Sequence, residues 1–465
     1  MKAVSLALLP FALMLAACDA QAPAAPTPEA SDAAQDEEAL PADPGFEGDW
    51  AGVLDAGVRT LNLELDIDLS GAAPAITMIS VDQGGARVPM DIVRFDGTHV
   101  HFSTPGMALQ YDGVLEDGVI TGTFNQGGLS APLVFERPAD GQDEASAADV
   151  HGQGEVVEIA LAEGHLEGVI TIPEAPRAGL VLISGSGPQD RDGNIAGHPV
   201  YAAIADALAE AGMASLRYDD RGVGGSDAPA PLAPAELADD AVRALDVLKA
   251  QTGLSCVGYL GHSEGGYLAL LAANESDADF VISLAGQHQD METLLYDQSE
   301  ALIRASGQGD AAVEANRVRQ RAVFEAIANA APGEAPAAIE AALIEGGLPE
   351  SFARQQAAMW GQPYAVAMFD GDPAAAAAAF EGPVLGLFGE RDLQVLPENA
   401  QTALIEARGD KPTRTVIVPG VDHIFEDSET GSPQEYGAAG HALSPTARAM
   451  LAEETRVLID QACTD

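Results

Sequence analysis

The stretch Gly261-His262-Ser263-Glu264-Gly265-Gly266 is where the sequence first offers chemistry. An apolar, β-branched run at 256–261 leads into it and a helical pattern starts at once, so Ser263 falls on a tight turn between strand and helix. Glycine is required on both sides of that turn, because side chains there would collide with the neighbouring strand and helix. The serine hydroxyl then stands above the sheet, near the positive start of the helix. A hydroxyl is a poor nucleophile until a base removes its proton. Glycine-x-serine-x-glycine arises by chance in a chain with 49 Gly. The strand–turn–helix setting is what makes Ser263 the expected nucleophile.

A nucleophile of this kind is followed along the chain by an acid and then a histidine. The histidines after Ser263 are His288, His423 and His441. His423 follows the strand-like Val416-Ile417-Val418 and the loop Pro419-Gly420-Val421-Asp422, at the carboxyl end of the last strand, and is the preferred base. His441 lies in a Gly/Ala loop and His288 opens a long helical segment. The acid should follow the preceding strand. Val384-Leu385-Gly386-Leu387-Phe388-Gly389 leads to Glu390-Arg391-Asp392, and Asp392 is preferred for orienting the imidazole. Glu390 is the substitute; Asp422 adjoins His423 and has a loop-stabilising role as its ordinary reading. Two backbone N–H groups should hold the developing oxyanion, one from Glu264 and one from the loop Ser184-Gly185-Ser186-Gly187-Pro188. Ser186 is preferred there, with Gly187 as runner-up.

These residues need a sheet to position them. After residue 150, short apolar runs at 155–161, 167–172, 179–184, 214–218, 256–261, 280–285, 383–388 and 414–418 alternate with helical patterns at 199–211, 234–251, 265–275 and 444–462. That alternation predicts a mostly parallel α/β sheet of eight strands over 151–465. The interval 287–380 is Ala-rich, helical and without a strand, and reads as a cap inserted between two strands. Residues 46–138 follow another rule. Leu61, Leu63, Leu65, Ile67 and Leu69 alternate with polar residues, and further short runs are punctuated by Gly, Asp and Asn. This predicts a small antiparallel all-β domain, a sandwich or barrel. His99 and His101 share one face of a strand there, with no obvious acidic partner, and read as a solvated face rather than a metal site. Residues 139–150 read as the linker.

Composition removes several function classes. Lys+Arg 22 against Asp+Glu 72 leaves a net charge of −50, and three of the basic residues are lysine. A phosphate backbone needs clustered cations, so nucleic acid is excluded as a partner. No metal cluster or cofactor fingerprint is visible, and no internal apolar run is long enough to span a membrane. Met1-Lys2, an apolar run at 3–17 and Leu15-Ala16-Ala17-Cys18 form a secretory signal. The cysteine directly after Leu-Ala-Ala resembles a bacterial lipobox, which implies cleavage before Cys18 and lipid on that cysteine. Residues 18–45 then form an acidic Pro/Ala-rich tether. The expected location is the bacterial cell envelope, facing the periplasm, with the membrane contacted through the N-terminal lipid only. Cys256 and Cys463 remain. Cys256 starts the nucleophile strand at the end away from Ser263, and the last helix should carry Cys463 to that same edge. A disulfide between them is allowed after export, and two free thiols are the alternative.

The chain resembles the α/β-hydrolase superfamily, in particular bacterial dienelactone-hydrolase-like and serine-aminopeptidase-like esterases. The resemblance rests on ISGSGPQDRDG (183–193), LRYDDRGVGGSD (216–227), GHSEGG (261–266), LFGERDLQV (387–395) and GVDHIFE (420–426), and covers about 151–465. It implies the fold, the set Ser263, Asp392 and His423, and a structural role for Arg221. Ser184 departs from the pattern, since many relatives carry His there. The expected activity is serine hydrolysis of a small-molecule ester or acyl substrate without a cofactor. An aminopeptidase or amidase is the alternative, with Asp290, Glu292, Glu300 and Glu345 as candidates to bind a free amine. A lipid-anchored binding protein with a vestigial hydrolase domain is the alternative of another class.

Overall fold

The structure, a computed structural model, describes residues 43–463 except 56–59, 71–73, 81–85, 91, 105–108, 127–128 and 138–153. The expected signal peptide, Cys18 and most of the tether lie outside the described residues. Residues 154–463 gather in one compact unit, and most of the preceding β-rich region forms another.

The first unit is one nine-stranded sheet. Its strands are β1 (Gly48–Asp55), β2 (Thr60–Asp68), β3 (Ala75–Ser80), β4 (Ala86–Pro89), β5 (Ile92–Asp96), β6 (His99–Thr104), β7 (Leu109–Glu116), β8 (Val119–Gln126) and β9 (Leu129–Glu136). Their order is β4-β3-β2-β1-β9-β8-β7-β6-β5. Sequential hairpins generate this order, with β1 closing against β9 in antiparallel register. The expected antiparallel all-β domain is therefore present, as one hydrogen-bonded sheet in which the consecutive strands β4 and β5 are the two edges. Period-two burial holds: Leu63, Leu65 and Ile67 point inward, joined by Trp50, Phe102, Tyr111 and Phe135. Across the sheet His101 Nδ1 and Asp112 Oδ1 lie 2.7 Å apart. Asp112 is the acidic partner the sequence hid, because it faces His101 from the next strand.

The second unit carries the expected eight-stranded sheet. β10 (Glu155–Ala160), β11 (His165–Thr171) and β12 (Ala178–Ile183) come first. The two-residue pair β13 (Asn194–Ile195) and β14 (His198–Pro199) precedes α1 (Val200–Glu210), β15 (Met213–Tyr218), α2 (Pro234–Thr252), β16 (Val257–His262), α3 (Glu264–Asn274) and β17 (Phe280–Leu284). A cap of six helices follows: α4 (Met291–Ala305), α5 (Asp310–Asn329), α6 (Ala335–Glu345), α7 (Glu350–Trp360), α8 (Pro363–Phe369) and α9 (Pro373–Ala379). The chain ends with β18 (Val384–Gly389), α10 (Pro397–Arg408), β19 (Thr413–Val418) and α11 (Pro445–Ala462). The strand order is β10-β11-β15-β12-β16-β17-β18-β19, parallel from β15 to β19.

The central strands are buried along their whole length because helices cover both faces. Leu180, Leu182, Leu260, Ile282 and Leu385 share one apolar cluster with Ile204 and Leu208 of α1 and with Leu451 and Leu458 of α11. α2 and α3 pack on the sheet as well. α10 was not legible in the sequence. It buries Ala400, Leu404 and the charged Arg408 and leaves Ile405 exposed, so its apolar stripe is too narrow to register as a helix.

Cys256 and Cys463 are joined by a disulfide with Cα atoms 5.7 Å apart. It ties the end of α11 to the start of the strand that delivers Ser263. The bridge spans 207 residues, so it removes much freedom from the unfolded chain. Replacing both cysteines by alanine should lower the unfolding free energy by about 2–4 kcal/mol in a denaturant titration. An unchanged midpoint would show that the bridge does not constrain this unit.

Candidate active site

The turn at Ser263 is built against a steric wall. Its backbone has φ 56° and ψ −121°, a region that costs a non-glycine residue about 1–3 kcal/mol. A Cβ at position 261 would lie 1.9 Å from Gly265 O, and one at position 265 would lie 2.4 Å from Ser184 O. Only glycine lets strand, turn and helix approach this closely. Hydrogen bonds hold the turn: Ser263 N–H donates to Leu284 O at 2.9 Å, and Gln287 N–H donates to Ser263 O at 3.0 Å. The elbow is thus clamped to the end of β17.

The structure brings Asp392 and His423 together. His423 Nδ1–H donates to Asp392 Oδ2 at 2.8 Å, and both residues are buried. Asp392 Oδ1 accepts from Gln394 N–H at 2.7 Å and Val395 N–H at 2.9 Å, so the carboxylate is fixed by its own loop. The other candidates are engaged elsewhere. Glu390 accepts from Gly420 N–H, and Asp422 accepts from Ile424 and Glu426 N–H. His441 contacts Asp427, and His288 contacts the Ser283 hydroxyl. A hydrogen bond from Ser263 to His423 is not among those the structure makes; such contacts often tighten only around bound substrate.

Sequence reasoning missed His262, the residue just before Ser263. Its Nε2–H donates to His423 O at 2.9 Å, and the two rings lie 4.9 Å apart. A carbonyl can only accept, so Nε2 carries the proton. Burial, then the neighbouring His423, push His262 down to about 3, which keeps the ring neutral. The nucleophile strand therefore also steadies the histidine loop.

The loop 184–189 is stitched on almost every side. Ser184 Oγ donates to Asp220 Oδ2 at 2.8 Å, and Gln189 N–H donates to the same oxygen at 2.8 Å. Gly185 N–H donates to Tyr201 Oη at 2.9 Å, so that amide is spent. Gln189 Nε2–H donates to Ser186 O at 3.2 Å. Among the described residues the N–H groups of Ser186 and Gly187 take no part in these bonds, while Glu264 N–H opens α3, where first-turn donors have no partner within the helix. Ser184, at the place where the sequence departs from its relatives, anchors the loop through Asp220. The doubled aspartate of YDDRG was the available signal for Asp220. Arg221 pairs with Asp240 at 2.6 and 2.8 Å and ties its loop to α2.

The eight-stranded, mostly parallel sheet with helices on both faces and the Ser263 elbow at the end of β16 has the α/β-hydrolase fold. Residues 193–295, which include Ser263, match the family described as serine aminopeptidase, S33. The chain is 29% identical over 325 residues to Esterase EstD of Thermotoga maritima, covering 69% of this chain and 72% of that protein. Among solved structures, a dienelactone hydrolase from Anabaena variabilis matches with 19% identity and a TM-score of 0.37, over 67% of this chain and 98% of that one. A thermophilic esterase from Thermogutta terrifontis matches with 19% identity and a TM-score of 0.37, over 65% and 99%.

Asp220 makes the loop 184–189 sensitive to pH. Burial raises its carboxyl to about 8, against hydrogen bonds from Gln189 and Ser184 that favour the charged form. The folded value exceeds the ordinary 3.8, so this group's contribution to stability is full in acid and is lost as pH rises through about 8. Asp220→Asn should therefore lose less melting temperature than the wild type between about pH 5 and pH 9. Parallel melting curves for the two proteins would show Asp220 ionised throughout.

Proposed function

We propose that this hydrolase is a serine carboxylic-ester hydrolase working through an acyl-enzyme on Ser263. The observation that carries the reading is the Asp392–His423 hydrogen bond on the loops beside a strained serine elbow. His423 Nε2 takes the Ser263 proton as Oγ bonds to the ester carbonyl carbon. The carbonyl oxygen becomes an oxyanion, received by the N–H groups of Ser186 and Glu264. Collapse breaks the bond to the alkoxide, which leaves with the proton from His423. Water then attacks the acyl-enzyme, giving its proton to His423, and the acid departs as Ser263 regains its hydrogen. Asp392 orients the imidazole and stabilises its protonated form.

The likeness to Esterase EstD supports an ester substrate. The family description favours an aminopeptidase as second reading. The cap carboxylates proposed to receive an amine do not support it. Asp290 caps the start of α4, Glu300 pairs with Arg304 and Arg317, and Glu292 and Glu345 are exposed. A panel of p-nitrophenyl esters of rising chain length, run beside aminoacyl anilides, should show turnover of the esters alone. Preferential cleavage of the anilides would replace the reading.

Ser263→Ala and His423→Ala should each lower kcat by up to about a millionfold with the fold intact, and His441→Ala should be mild. Asp392→Asn should cost about ten-thousandfold. A fluorophosphonate probe should label Ser263 alone. An unlabelled, folded wild type would leave the vestigial binding protein as the better reading.

Anchoring through Cys18 in the cell envelope completes the proposal. The disulfide supports it, because such bonds persist outside the reducing cytoplasm. Cys18→Ala should move the protein from the membrane to the soluble fraction on cell fractionation; retention at the membrane would sink the lipid anchor.

A further inference from the structure

The mechanism uses the backbone of Glu264 and leaves its side chain unexplained. A glutamate in the first turn of a helix ordinarily reaches into water, where it complements the helix dipole. This one is 4% exposed. Its Oε1 accepts from the Tyr364 hydroxyl at 2.5 Å, and Tyr364 sits on α8 of the cap. The Ser186 side chain hydrogen-bonds the same carboxyl. One buried carboxyl therefore links the cap, through Tyr364, to the loop after β12, through Ser186.

We propose that Tyr364 is a positioning residue for the oxyanion hole, acting from the cap through the Glu264 carboxyl on Glu264 and Ser186. The inference rests on the hydrolase mechanism proposed above. An oxyanion hole works by preorganisation: its donors must already stand where charge will develop. Glu264 N–H is fixed by the strained elbow and the helix behind it. Ser186 is held on a loop, with Gln189 on its carbonyl and the Glu264 carboxyl on its side chain. Tyr364 keeps that carboxyl aimed at Ser186. Burial disfavours the charged form of Glu264, so the tyrosine hydroxyl also supplies the donor that a buried carboxyl needs. The cap thus completes the reactive centre itself.

The test uses the full chain and a substrate too small to need the cap, p-nitrophenyl acetate. Tyr364→Phe should lower kcat about tenfold and leave KM within about twofold, since only transition-state interactions are weakened. The affinity for a boronic acid that mimics the tetrahedral intermediate should fall in parallel with kcat, a readout that looser packing alone would not move. Glu264→Ala should reproduce the loss, and Glu264→Gln, which keeps an acceptor for the tyrosine, should recover part of it. Wild-type kcat and boronate affinity in Tyr364→Phe, or a change confined to KM, would overturn the proposal. Should that variant fail to fold, the two Glu264 variants read the same contact from the other side, and equal activity in both would overturn it. A folded wild type that neither turns over esters nor takes up fluorophosphonate would instead refute the underlying mechanism.

Discussion

The positive φ of Ser263 is the constraint on which the rest of the second unit depends. A serine holds such a backbone only where the surroundings over-determine it. Here three kinds of support converge. Glycines at 261 and 265 remove the side chains that would push strand and helix apart. Leu284 and Gln287 clamp the turn to the end of β17. The buried parallel strands on either side resist any relaxation that would let the turn open. The strain aims the hydroxyl outward at the carboxyl edge of the sheet, the edge where open α/β sheets bind ligands.

From that point the site spreads by short polar relays between loops. The strand carrying Ser263 presents His262 to the carbonyl of His423, so the Ser263 elbow and the His423 loop share one contact. The β18 loop presents Asp392 to the same histidine. The loop after β12 is pinned by Asp220, which follows β15. Arginines hold the framework behind these loops: Arg191 with Asp219, Arg217 with Asp192, and Arg221 with Asp240. A buried ion pair gains little net stability against its desolvation, but removing one partner strands a charge. Their value here is geometric. They place the segments 190–192 and 217–221 relative to each other, and through them the loop beside Ser263.

The order of elements was legible because each chemical residue lay at the end of a strongly apolar strand. Ser263, Asp392 and His423 could be found from the runs that precede them, 256–261, 383–388 and 414–418. The cap was legible as a helical interval, but not its contribution of Tyr364. That contact joins residues 100 positions apart and leaves no periodic trace. His262 was hidden for the opposite reason: it sits inside the motif at a position where any residue is allowed. The antiparallel β domain was legible but its form was left open between sandwich and barrel, because alternation reports which face of a strand is buried, not what buries it. α10 escaped because only two of its buried residues, Ala400 and Leu404, are apolar, and the third is Arg408.

The formal charge of −50 sets a problem that the site geometry answers. A developing oxyanion is a negative charge, and a field of unpaired carboxylates beside it would raise the barrier. Asp392, Asp220, Asp422 and Glu264 are each given a donor or pushed toward the neutral form. Asp392 is covered by two amides and His423. Burial raises Asp220 to about 8 and Asp422 to about 7, and it raises Glu264 as well. Tyr364 and Ser184 direct hydroxyl hydrogens at two of these groups. The repulsive charge is thereby left on the outer surface, where water and salt screen it, while the loops around Ser263 present amide and hydroxyl dipoles. Under the proposed mechanism, an acidic chain would tolerate an anionic transition state because Asp392, Asp220 and Glu264 are each engaged by donors.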